Sequence, residues 1–181
     1  GRPTVRPIKL IVGIPDVLPK LIAFRLMEPA LLLEEKVQIV CREGPMDQLL
    51  PALANHELDV VFSDSPIGSL VHVRVFNHAL GECGVGLFGI EAMIDNYGKE
   101  LPASLNGAPL IMPAENTALR RSIDKWLLQE DLAPTIVAEI DDTALSKVFA
   151  EAGFGIVCAP LAIRKEIERQ YGLRLLITLP Y

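Results

Sequence analysis

Leu58-Asp59-Val60-Val61-Phe62-Ser63-Asp64-Ser65 is where this chain changes character, from an unbroken apolar run to three small polar residues. Apolar residues without alternation predict a strand buried on both faces, as at the centre of a parallel sheet. In open α/β sheets the ligand crevice lies outside the carboxyl ends of the strands. Ser63, Asp64 and Ser65 fall at such an end, so they are candidates for the floor of a small-ligand site.

Working outward, the same grammar recurs on both sides. Lys9–Ile14 reads as a first buried strand, followed by Pro15-Asp16-Val17-Leu18-Pro19. Pro19 fits a first helical turn, and that helix is expected to stop near Pro29. Val37–Cys41 is a second strand, and Arg42-Glu43-Gly44-Pro45 turns it into a helix with Met46, Leu49, Leu50 and Leu53 on one face. Pro51 inside it predicts a kink or a short first turn. Strand, helix, strand, helix, strand is a parallel βαβ layout.

Beyond it, Val71–Leu80 is expected to be a strand, Glu91–Tyr97 a short helix and Leu110–Met112 a strand. Thr117–Gln129 is a helix capped by Asn116 or Thr117. Thr135–Ile140 is a strand, Ala144–Ala152 a helix, Ile156–Ala159 a strand, and Pro160 opens a last helix before a strand over Leu173–Ile177. The alternation runs twice, with glycines crowding the crossing at Gly81, Gly84, Gly86 and Gly89. Two α/β lobes with a cleft are expected.

Composition excludes several classes. The 181 residues are 50% hydrophobic and 22% charged, enough for a sizeable core in one large or two small domains. A net charge of −6 without a basic cluster argues against direct nucleic-acid contact; Arg120-Arg121 reads as a solvated helix face. No apolar run approaches the roughly 18–20 residues of a membrane span. No signal peptide is visible, and a chain opening Gly1-Arg2-Pro3 is expected to be a fragment. Three scattered cysteines, Cys41, Cys83 and Cys158, read as reduced thiols in the cytoplasm.

Motif by motif, catalysis finds little support. Gly84-Val85-Gly86-Leu87-Phe88-Gly89 matches G-x-G-x-x-G, but the acidic partner about 20 positions on is missing and the glycines lie in an extended segment. A flexible crossover between lobes accounts for them. His56, His72 and His78 lack metal-ligand spacing. There is no G-x-S-x-G, and Cys83 has no histidine or cation beside it. No enzyme, metal or cofactor is expected. What remains is polar residues at strand ends in both halves: Asp16 and Glu43, Ser63-Asp64-Ser65, Asn116-Thr117, and Asp141-Asp142-Thr143. Each alone is explained by turn chemistry; their shared location raises the joint reading.

The order and spacing of several degenerate pieces resemble the effector-binding domain of LysR-type transcriptional regulators. These are Leu10–Pro19, Glu43-Gly44 before a leucine-rich helix, Glu57-Leu58-Asp59-Val60-Val61, Leu105-Asn106-Gly107-Ala108-Pro109-Leu110-Ile111, Leu119-Arg120…Trp126, and Gly153-Phe154-Gly155-Ile156-Val157…Pro160. Within that family the wording is similar to the branch that activates a sodium/proton antiporter gene. The resemblance implies an α/β, periplasmic-binding-protein-like type II fold. One subdomain would hold residues 1–81 and 161–181 and the other 82–160, joined by two crossover strands. A winged helix-turn-helix DNA-binding domain would precede them, and the effector domains would pair as dimers or tetramers. Its effector contacts map to Pro15, Asp16, Val17, Glu43, Gly44, Ser63, Asp64, Asn116, Thr117, Asp141 and Thr143. The family often places Ser or Thr where this chain has Asp16. Carboxylates at Asp16, Asp64 and Asp141, with no basic residue set among them by the sequence, suit a small hard cation such as sodium. The alternatives are a solute-binding protein for a small polar ligand and a small-molecule enzyme on the same fold.

Overall fold

The computed structural model describes residues 6–68 and 75–180. The chain divides into two compact units between Ala79 and Leu80.

Unit 1 is a three-stranded parallel sheet in the order β2-β1-β3, formed by β1 (Ile8–Pro15), β2 (Val37–Gly44) and β3 (Val60–Val61), with helices α1 (Lys20–Leu31) and α2 (Met46–Ala54) between them. The parallel βαβ expectation holds. The expected centre does not. Among the described residues the run at Val60–Phe62 supplies a two-residue strand at the edge, and Val60 is 41% exposed. β1 is the middle strand, buried over its last four residues. A three-residue apolar run is too short to reveal whether it has one neighbour or two. Asp59 fixes the edge strand from its start, its carboxylate accepting from the Ile11 amide at 2.8 Å.

Val12, Ile14 and Ala23 form one small core, with Leu10, Leu18, Met27, Ile39 and Phe62 against it. Gly13 is required by close approach: a Cβ there would lie 2.9 Å from Leu58 and 3.0 Å from Val61. Pro19 is the N-cap of α1 and not its first helical residue, and the helix runs past Pro29 to Leu31. Pro29 in the last turn forgoes one backbone bond without ending the helix. The strand expected over 71–80 lies outside the described residues at 71–74, and 75–80 has no regular structure.

Unit 2 is a five-stranded mixed sheet in the order β6-β5-β7-β4-β8. Its elements are β4 (Val85–Gly89), α3 (Glu91–Tyr97), β5 (Pro109–Met112), α4 (Ala118–Gln129), β6 (Thr135–Glu139), α5 (Thr143–Glu151), β7 (Ile156–Pro160), α6 (Arg164–Tyr171) and β8 (Arg174–Thr178). β5 is parallel to β6 and β7, whereas β4 is antiparallel to β7 and β8. Pro160 ends β7, and a single 3-10 turn at Leu161–Ile163 separates it from the last helix. The core gathers Leu87, Leu105, Leu110, Met112, Ile123, Trp126 and Ile156. The glycine-rich 84–89 segment is a fully buried strand, not a phosphate-binding turn. A Cβ at Gly86 would come within 2.5 Å of Leu175, so packing accounts for that glycine.

Candidate functional site

The site is built separately in each unit, at the carboxyl ends of parallel strands. In unit 1 the register pairs Ile14 with Glu43 and Pro15 with Gly44. That sets the Pro15-Asp16-Val17 turn beside the end of β2, with the Leu18 amide donating to Pro15 O at 3.0 Å. β3 joins β1 on its other side through the Phe62 amide and Gly13 O, 3.0 Å apart, so Ser63 and Asp64 leave from the same edge. Asp16, Glu43, Ser63 and Asp64 are all exposed. Glu43 stands 4.0 Å from the Lys20 ammonium, both more than half exposed, a pair of little energetic weight. The Ser63 hydroxyl is engaged in its own turn, donating to Ser65 O at 2.6 Å and accepting from Ser65 N at 3.2 Å.

In unit 2, β5 and β6 run parallel and end at 113–117 and 140–143. Thr117 is the N-cap of α4: its hydroxyl accepts from the Arg120 amide at 3.1 Å and donates to Ala114 O at 2.9 Å. Asn116 is exposed, its carbonyl accepting from the Arg121 guanidinium at 3.4 Å. Asp142, between the candidates Asp141 and Thr143, caps α5 by accepting from the amides of Ala144 (2.8 Å) and Leu145 (3.0 Å). Asp141 is exposed; the Thr143 carbonyl accepts from the Ser146 hydroxyl at 2.8 Å.

Two basic residues escaped the sequence reading. Arg120 is not on a solvated face: its side chain is only 12% exposed. It donates to Pro113 O at 2.9 Å, to Glu139 at 3.0 Å and to Asp124 at 3.1 Å, tying the end of β5 to the end of β6. Its signals were the i+3 spacing from the Thr117 cap and the i,i+4 acid at Asp124. Lys147 is 7% exposed. Burial lowers its pKa from the ordinary lysine value, with Asp142 opposing the shift. Its spacing with Thr143 and Ala150 marked it as inward-facing, but a lysine is ordinarily assigned to solvent. Among the described residues no three His, Cys, Asp or Glu side chains gather as a metal cage.

The chain matches the model of the LysR substrate binding domain over residues 9–180. It is 32% identical over 149 residues to the transcriptional activator protein NhaR of Escherichia coli (strain K12), covering 82% of this chain and 48% of that protein. NhaR of Shigella flexneri matches equally. The chain thus spans about half the length of these relatives. Among solved structures, the regulatory domain of HypT from Salmonella typhimurium superposes with a TM-score of 0.69 at 18% identity, over 98% of this chain and 82% of that one. The effector-binding domain of QuiR in complex with shikimate gives 0.71 at 14%, over 97% and 83%. The fold is therefore that of LysR regulatory domains, and this chain belongs to their family as the non-enzymatic effector-binding domain of a LysR-type transcription regulator.

Proposed function

We propose that this domain senses a small polar ligand or a cation, with sodium the first ion to test, and thereby controls activation of an ion-homeostasis gene of the sodium/proton antiporter type. The observation that carries this reading is the 32% identity to NhaR over most of the chain. LysR effector domains bind small-molecule effectors, as QuiR binds shikimate. The contacts would come from Pro15, Asp16, Val17, Glu43, Gly44, Ser63, Asp64, Asn116, Thr117, Asp141 and Thr143. A cation would lie against Asp16, Asp64 and Asp141, where carboxylate and hydroxyl oxygens suit a hard ion. A ligand present at millimolar levels needs only about 4 kcal/mol of binding free energy.

The effector would act by binding one arrangement of two lobes, residues 1–81 with 161–181 and residues 82–160, better than another. DNA would be contacted by an N-terminal domain of the full regulator, in the cytoplasm, as a homodimer or tetramer. Exposed apolar side chains on α1 (Phe24, Leu31) and α5 (Leu145, Val148) support pairing through this domain. Thermal melting in sodium, lithium, potassium and choline chlorides at matched ionic strength tests the cation. Sodium is expected to raise the melting temperature, and Asp64→Asn to blunt the rise. Identical curves in all four salts remove the cation reading.

A further inference from the structure

Two sulfur atoms meet on unit 1, where α1 covers β2. Alternate residues of a strand share a face, so Val37, Ile39, Cys41 and Glu43 lie on one side of β2. That side is the one α1 packs on. Ile39 and Met27 both rest against the core of Val12, Ile14 and Ala23, and Glu43 lies 4.0 Å from Lys20 at the start of α1. Met27 follows the buried Ala23 by one helical turn and so leans over the same side. There the exposed Cys41 thiol meets the half-buried Met27 thioether, Sγ to Sδ 3.7 Å.

The three thiols of the chain are thus unlike one another. Burial pushes the Cys158 thiol well above its ordinary pKa, which makes it inert. Cys83 is exposed, and its thiol donates to a backbone oxygen, that of Gly84 at 3.3 Å. Cys41 joins exposure with a second sulfur in contact. Sulfur packed on sulfur inside a core is ordinary filling; here the thiol is open to an ion from solution. Thiolate and thioether are soft donors and select copper(I) over sodium, magnesium or calcium. Metal–sulfur bonds of about 2.3 Å from two sulfurs 3.7 Å apart meet at roughly 105–110°. That angle fits trigonal or tetrahedral coordination without any change in the separation of the donors. Among the described residues no three His, Cys, Asp or Glu side chains gather, so a two-sulfur anchor favours an ion that needs few protein ligands.

We propose that Met27 and Cys41 form a binding site for a soft monovalent cation, copper(I), bridging α1 and β2. The Cys41 thiol releases its proton to the buffer as the metal–thiolate bond forms. The Met27 thioether donates a lone pair, and a ligand from solution completes the coordination. No electron is transferred. The site shares no residue with the strand-end effector site, so either can fail alone.

The probe is copper(I) itself, delivered anaerobically from a chromophoric chelator to the reduced 181-residue chain in buffer free of thiols and chloride. The parent is expected to take one equivalent. Changes outside the ligand set already cost metal sites about 10–100-fold in affinity. Cys41→Ser is therefore expected to weaken copper by about 100-fold or more and Met27→Leu by about ten-fold or more. Cys83→Ser is expected to leave the affinity unchanged. A second measurement needs no variant and so does not depend on how one folds. X-ray absorption of the copper-loaded parent, grown with selenomethionine, is expected to show one sulfur and one selenium bound to copper. Copper affinity in Met27→Leu equal to the parent's overturns the proposal, as does retention by Cys41→Ser or loss in Cys83→Ser. A copper shell without selenium overturns it as well, since the ion would then sit on thiols alone.

Discussion

Unit 1 and unit 2 put similar polar residues at the ends of parallel strands, but on very different foundations. Among the described residues the sheet of unit 1 has three strands and a small core around Val12, Ile14 and Ala23. The sheet of unit 2 has five, and a core that includes fully covered Leu105, Ile123, Ile156 and Phe88. The polar ends differ accordingly. Those of unit 1 include exposed carboxylates, a serine turned on itself and the loose Lys20–Glu43 pair. Those of unit 2 are backed by Arg120 and Lys147, which are largely covered. A broad sheet with a large core can hold a covered cation near its edge; the thinner sheet carries its charges at exposed positions. The lesson is that residue type at a strand end does not set its role until the support beneath it is known.

The largest effect is expected from the cores. Phe88→Ala removes a side chain with no exposure and should cost about 3–5 kcal/mol in denaturant titration followed by circular dichroism. Val12→Ala in unit 1 should cost about 2 kcal/mol, from lost methyl burial. Equal costs would mean that the two cores are equally consolidated, and the contrast would fail.

A middling effect is expected from the ion pairs. Arg120→Gln loses its contacts with Asp124 and Glu139 and should cost about 1–2 kcal/mol, a charged hydrogen-bond value discounted because both acids are about half exposed. Lys20→Gln in unit 1 should change stability by less than about 0.5 kcal/mol. A Lys20 effect as large as that of Arg120 would mean the unit 1 edge is as firmly tied as the unit 2 edge.

The smallest effect is one of pH. The folded-state pKa of Lys147 lies below its ordinary value of 10.5, so between the two the unfolded chain binds more protons than the folded one. Lys147 therefore lowers stability at neutral pH, and that penalty is relieved as pH climbs from the lowered pKa toward 10.5. Lys147→Met removes the penalty, so the melting advantage expected of it should shrink over that window. An advantage constant with pH would show that the ammonium is not what is being relieved.

Most of the elements were legible because their signals are local. The short helix expected over Glu91–Tyr97 is there with those bounds, and of the two cap candidates, Asn116 and Thr117, it is Thr117 that caps α4. The parallel pairing of β1, β2 and β3 followed from alternation with helices. What was not legible depends on neighbours far along the chain. Nothing in Val60–Phe62 says that β1 lies on one side and no other described strand on the other. Pro29 looked like a stop because its cost is local, while its place in a last turn is not visible until the helix end is known. The polar residues of the candidate site were found by type, but their commitments were not: Ser63 and Thr117 serve their own turns. Arg120 and Lys147 were passed over because charge patterns are read as solvent-facing unless a partner adjoins them in sequence.

The antiparallel place of β4 has a consequence for how the polypeptide is made. Among the described residues, the strands of unit 1 are all available once Val61 has been synthesised, so that sheet can close while the ribosome is still working. β4 is different: it lies between β7 and β8, and β8 follows every other described strand. Until β8 emerges, a wholly apolar-lined β4 presents an unpaired flank, the kind of edge on which nascent chains aggregate. Birth order thus leaves the sturdier half of the molecule as the more vulnerable one during biosynthesis.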